Sequence, residues 1–95
     1  MLFFVKVQVD VNQLAELGQK LQAGAFHAHP VNTYCLENDP TIGLNIWEAE
    51  SREAFEQAFA PQREYYSAVL EIAPVITPQE AQKILVAQMT RKSSA

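Results

Sequence analysis

The sequence predicts an α+β domain of order β-α-β-β-α-β with a further helix after it. Three observations carry this. Residues 3–9 alternate with a period of two, Leu14, Leu17 and Leu21 recur at helical spacing, and Asn38-Asp39-Pro40 splits an apolar stretch into a hairpin. With 95 residues and a mass of 10.7 kDa, the chain suits one domain spanning residues 1–95.

In the first segment Phe3, Val5, Val7 and Val9 fall on one side, and Phe4, Lys6, Gln8 and Asp10 on the other. That pattern, rich in β-branched residues, is a strand with one face on a core. Asp10 or Asn12 suits an N-cap for the leucine-striped helix, and Gly24 suits the residue just past its end. Residues 26–30 connect to a second strand over 31–37, and the hairpin turn leads to a third over 41–49. Ser51 is an N-cap for a second helix with Phe55, Ala58 and Phe59 as its stripe, which Pro61 is expected to break while suiting the first position of a further short turn. A fourth strand covers 69–76. Thr77-Pro78-Gln79-Glu80 is a capping box that starts the last helix, with Ala81, Ile84 and Leu85 inward and Arg91 and Lys92 near its end.

This order is the split βαβ of ferredoxin-like folds, a four-stranded antiparallel sheet of order 4-1-3-2 with both helices on one face. Phe3, Val5, Val7, Ile42, Leu44 and Ile46 are expected to point to the helices. Phe4, Lys6, Gln8, Asn45 and Trp47 are then left on the open face, where a second subunit is the expected cover.

The start Met1-Leu2-Phe3-Phe4-Val5-Lys6-Val7 resembles the opening of muconolactone isomerases. Leu70-Glu71-Ile72-Ala73-Pro74-Val75-Ile76, with the helix start at Thr77, is similar to small proteins of the dimeric α/β-barrel superfamily. The resemblance implies a protomer whose sheet meets a partner's face to face around a pocket, in a homodimer or higher homo-oligomer. It implies an isomerase, a cofactor-free monooxygenase, a haem protein or a sensor. Muconolactone isomerases carry an aromatic and arginine-rich segment after the first helix. Here Gly24-Ala25-Phe26-His27-Ala28-His29-Pro30 contains no Arg, the natural partner of a carboxylate, so no catalytic residue carries over.

The net charge of −4 argues against nucleic acid and anionic membranes as partners. A single cysteine, Cys35, excludes an internal disulfide, and the first residues lack the pattern of a secretory signal, so a cytoplasmic protein is expected. Phosphate-loop, dinucleotide, zinc-protease and serine-hydrolase motifs are absent, and no cofactor is expected. His27 and His29 form a His-x-His pair with no third ligand nearby in sequence. They are read as catalytic acid/base residues rather than metal ligands, since imidazole titrates near neutrality. Phe4, Tyr34, Trp47, Tyr65 and Tyr66 are aromatic candidates for a pocket or an interface. Asn45 suits a residue that orients a ligand, and Lys6 and Glu71 suit a cross-strand charge pair at the same site. The candidate ligand-binding set is therefore Phe4, Lys6, Tyr34, Asn45, Trp47 and Glu71, with no metal site. Two readings remain open. One is an isomerase-like or cofactor-free oxygenase-like enzyme acting on a small cyclic or aromatic metabolite. The other is a non-catalytic ligand-binding or assembly module.

Overall fold

The computed structural model describes residues 1–24 and 28–94, with side chains described through residue 90. Its elements are β1 (Leu2–Val9), α1 (Leu14–Gln22), β2 (Asn32–Cys35), β3 (Ile42–Glu48), α2 (Arg52–Arg63), β4 (Tyr66–Val75) and α3 (Pro78–Ser94). The strands form one antiparallel sheet in the order β2-β3-β1-β4, the expected 4-1-3-2 seen from the other edge.

Local chemistry sets most boundaries. Ser51 caps α2 by accepting a hydrogen bond from the backbone N–H of Ala54. Thr77 does the same for Glu80 at the start of α3, and its hydroxyl also meets the Glu80 carboxylate. Gly24 follows α1 with φ of 68°, as expected of a residue just past a helix end. Asp10 does not cap α1. Its carboxylate accepts from the Asn12 N–H and shapes the turn before the helix.

Four expectations need correction. Directly opposed residues of an antiparallel pair share a face, and the register sets Phe3 against Trp47, Val5 against Asn45 and Val7 against Gly43. Gly43, Asn45 and Trp47 therefore face the helices, whereas Ile42, Leu44 and Ile46 join Phe4 and Lys6 on the open face. The alternation in β3 sorts the two sets correctly, but apolar content assigned them to the wrong sides. Trp47 fills more core volume than any residue of the other set, and Gly43 lets the strand pass close to Val7.

Pro61 does not end α2, which continues to Arg63. Pro61 lacks an N–H donor, but burial of Phe55, Phe59 and Gln62 along the helix outweighs that loss. β4 begins at Tyr66 rather than residue 69, because two register shifts lie along it. Skipping Ser67 and Leu70 brings Tyr66, Val69 and Ile72 onto the core face at a spacing of three, which hides the strand from a period-two reading. Ile84 and Leu85 do not turn inward. Of the described side chains of α3, Ala81 is partly buried and the rest are exposed.

The core lies between the sheet and α2. Phe3, Val5, Val7, Trp47, Phe55 and Phe59 form one cluster. Leu17 of α1 meets Tyr65 in a second, smaller one. The described molecule measures 57 × 31 × 18 Å along its principal axes, and α3 extends from the domain's end.

Candidate functional site

The helix side of the sheet carries an aromatic stack. Phe3 stacks on Phe55 at 4.7 Å, Phe55 on Phe59 at 5.6 Å and Phe59 on Tyr66 at 6.0 Å. Trp47 meets this stack edge-on, 5.6 Å from Phe59 and 6.0 Å from Phe55, which suits the ring quadrupoles.

A chain of polar groups runs through the same layer. The Thr33 hydroxyl, on β2, donates to the Asn45 side-chain oxygen on β3. The Tyr66 hydroxyl donates to Oε1 of Gln62 on α2 at 3.4 Å, and Asn45 is near enough to act on the Tyr66 phenol. Gln62 in turn donates from Nε2 to the carbonyl of Ala28 at 3.2 Å. Asn45 and Gln62 are the buried polar residues of the described chain, and this chain of bonds accounts for both. Burial pushes the Tyr66 phenol above its ordinary value of 10.0. Asn45 pulls it partly back, and nearby Cys35 adds a smaller upward push. Tyr66 is therefore a neutral hydroxyl at physiological pH.

One group is left over. Nε1 of Trp47 is buried and has no hydrogen-bond partner among the described residues, on a side chain only 2% exposed. An indole N–H that donates to nothing costs about 1–3 kcal/mol, so its persistence in a well-packed layer asks for an acceptor.

The expected site residues divide between the two faces. Asn45 and Trp47 stand on the helix side, not the open face. Tyr34, Leu44, Lys6 and Glu71 form one row across the open face, each directly opposed to the next in the register. Phe4 lies in the neighbouring row with Ile46 and Ala73. Among the described residues the ion pairs are Glu16–Lys20 and Arg52–Glu56, both along helices, and none joins Lys6 to Glu71. Tyr34 is 64% exposed, and His29 is exposed. His27 lies outside the described residues. Cys35 is exposed on the edge strand, and no group of three His, Cys, Asp or Glu side chains able to hold a metal gathers among the described residues.

Gln62 and Thr33 were missed by the sequence reading. Gln62 sits just beyond a proline taken to end the helix, and Thr33 is an ordinary strand residue, so neither carried a signal. Tyr66 was legible only as an aromatic. Away from this layer, a cleft of about 590 Å³ opens at the end of the sheet, lined by residues that include Leu2, Glu48, Val75, Ile76 and Glu80.

No family model matches the chain, and no curated protein matches it. Two solved structures resemble it. A 5-chloro-2-hydroxyhydroquinone dehydrochlorinase from Burkholderia phenoliruptrix AC1100, in complex with 2,5-dihydroxybenzoquinone, superposes with a TM-score of 0.54 at 15% identity, over 84% of this chain and 98% of that one. A protein described as a putative antibiotic biosynthesis monooxygenase from Chloroflexus aurantiacus J-10-fl gives a TM-score of 0.45 at 21% identity, over 80% and 93%. No helix among the described residues is long and apolar enough to cross a membrane. With the observed sheet order, the first likeness establishes that this chain has the ferredoxin-like fold.

Proposed function

We propose that the chain binds a small cyclic or aromatic metabolite between its sheet and its helices, and that it acts there as an isomerase-like or cofactor-free oxygenase-like enzyme. The unpartnered indole N–H of Trp47, beside the chain from Thr33 to Gln62, carries this reading. A ligand oxygen accepting from Trp47 would satisfy the group left unpaired among the described residues of this layer. Tyr66, held neutral by burial, would supply a proton to such a ligand. The polar chain ends on the carbonyl of Ala28, whose neighbours in sequence, His27 and His29, are kept as the candidate bases. The solved neighbour with a bound dihydroxyquinone makes that class of compound a sensible first probe.

The second part of the proposal is a homodimer formed through the open face, in the cytoplasm, with neither nucleic acid nor membrane as partner. Phe4, Ile42, Leu44 and Ile46 leave that face half-buried and apolar, which favours a covering copy. The same observation supports the runner-up, a non-catalytic assembly module that retains a ligand without turning it over.

Trp47 is the only tryptophan, so intrinsic fluorescence reports on it alone. Titration with 2,5-dihydroxybenzoquinone and simple hydroxylated aromatics should give a saturable change that weakens about tenfold in Tyr66→Phe, the cost of one lost hydrogen bond. A response that never saturates, or one indifferent to Tyr66, counts against the site. Product formation that stops in His27→Gln or His29→Gln with binding retained separates the enzyme from the module.

A further inference from the structure

We propose that α3 is an arm exchanged between two copies of this chain, its apolar stripe lying in the end cleft of the other copy. Leu85, Val86 and Met89 are 57, 52 and 67% exposed and fall within about 100° of the circumference of one helix, with Ile84, 50% exposed, beside them. Single exposed apolar residues are ordinary, but four together on one 17-residue helix form a docking surface. Most helical stability in proteins comes from a packed apolar face rather than from propensity, which argues for a cover over this one.

Two observations make the cover a second copy. The first is charge. The 78–94 segment has three basic residues, Lys83, Arg91 and Lys92, against Glu80 alone, whereas residues 1–77 have four basic against ten acidic. The arm is positive and the body it leaves is negative, so each copy's arm complements the other's body. The second is the cleft at the root of the arm. Leu2, Pro74, Val75 and Ile76 line it with apolar surface, Glu48 and Glu80 add two acidic groups beside the Met1 ammonium, and its volume is about 590 Å³. It suits an apolar stripe flanked by lysine. The chain's own α3 walls this cleft with Glu80 and then runs on for about 21 Å, so its own stripe does not fill it. Reciprocal exchange satisfies both copies with one two-fold contact.

The proposal rests on the two-copy part of the reading above and not on the ligand site. Its test uses full chains in which Cys35→Ser removes the only native thiol. One chain carries Leu85→Cys and the other Ile76→Cys, both at exposed positions. Mixed under mild oxidation, they should give a mixed disulfide dimer, identified by intact mass, at least about tenfold faster than either symmetric dimer. A symmetric Leu85→Cys dimer forming faster, or no mixed dimer from a chain that sedimentation shows to be dimeric, overturns the exchange and leaves the open-face dimer standing. A monomeric native chain overturns both. In sedimentation equilibrium, Leu85→Glu should weaken the dimer at least about tenfold while Leu85→Met retains it, and equal affinities for the two would overturn the proposal. Pelleting of the native chain with phosphatidylserine vesicles, abolished by Leu85→Glu and accompanied by no mixed disulfide, would assign the arm to a lipid surface instead.

Discussion

On the helix side of the sheet, β1 and β3 set Phe3 against Trp47 and Val5 against Asn45, and all four are buried. On the opposite side they set Phe4 against Ile46 and Lys6 against Leu44, and none of these is fully buried. Both faces carry apolar residues in neighbouring rows. They differ in what covers them. The helix side holds a closed aromatic layer with a threaded polar chain, so one missing acceptor stands out. The open side holds half-buried aliphatics and a lysine opposite a glutamate, the surface that the proposed second copy would cover. On the proposed reading, site residues and interface residues alternate along one strand, separated by a single position.

The largest effect should come from the covered face. Phe55→Ala removes a fully buried ring that stacks on both Phe3 and Phe59. It should cost about 3–5 kcal/mol, enough to shift the urea midpoint of a domain this size drastically. Ile46→Asp, on the open face, should leave the fold intact at high dilution yet weaken self-association at least tenfold or so by sedimentation, because it puts an unpaired charge in the contact. If both substitutions unfold the chain equally, the two faces are not distinct in the way described.

How much of this was legible in the sequence follows from the same comparison. Helix starts at Ser51 and Thr77 and the glycine past α1 come from local chemistry, which acts within a few residues and is written in the sequence, and strand order follows from the succession of elements. Which side of β3 is covered depends on register against β1, a long-range property. Ile42, Leu44 and Ile46 outnumber the apolar residues on the other side, so hydropathy favoured the wrong face. The two bulges of β4 likewise reassign Tyr66 and Val69 without any local mark. Asn45 and Trp47 were legible as site candidates by residue type, and their neighbours Gln62 and Thr33 became visible only when α2 and β2 were placed around them.

A smaller effect sharpens the account of the polar chain. Tyr66 has its pKa raised in the folded state, so its contribution to stability is fully present below the unfolded value of about 10 and is lost as pH rises through the folded value. The native chain should lose stability on going from pH 8 to pH 11 more steeply than Tyr66→Phe, read as the difference in urea midpoints. Equal slopes would mean that the Tyr66 hydroxyl is not held in a desolvated layer. The smallest expected change is Thr33→Val, which removes one donor to Asn45 at the sheet edge and should cost about 1 kcal/mol by the same measurement.

The central claim, that the ligand belongs to the covered face, is tested most directly at one nucleus. Trp47 supplies the only indole N–H in the chain, so a ¹⁵N-labelled sample should show a single indole cross-peak. On titration with 2,5-dihydroxybenzoquinone, that proton should move saturably downfield as it acquires an acceptor, while the backbone signals of Leu44 and Ile46 stay in place. An indole signal that does not move while Leu44 and Ile46 shift would place the ligand on the open face and contradict the account.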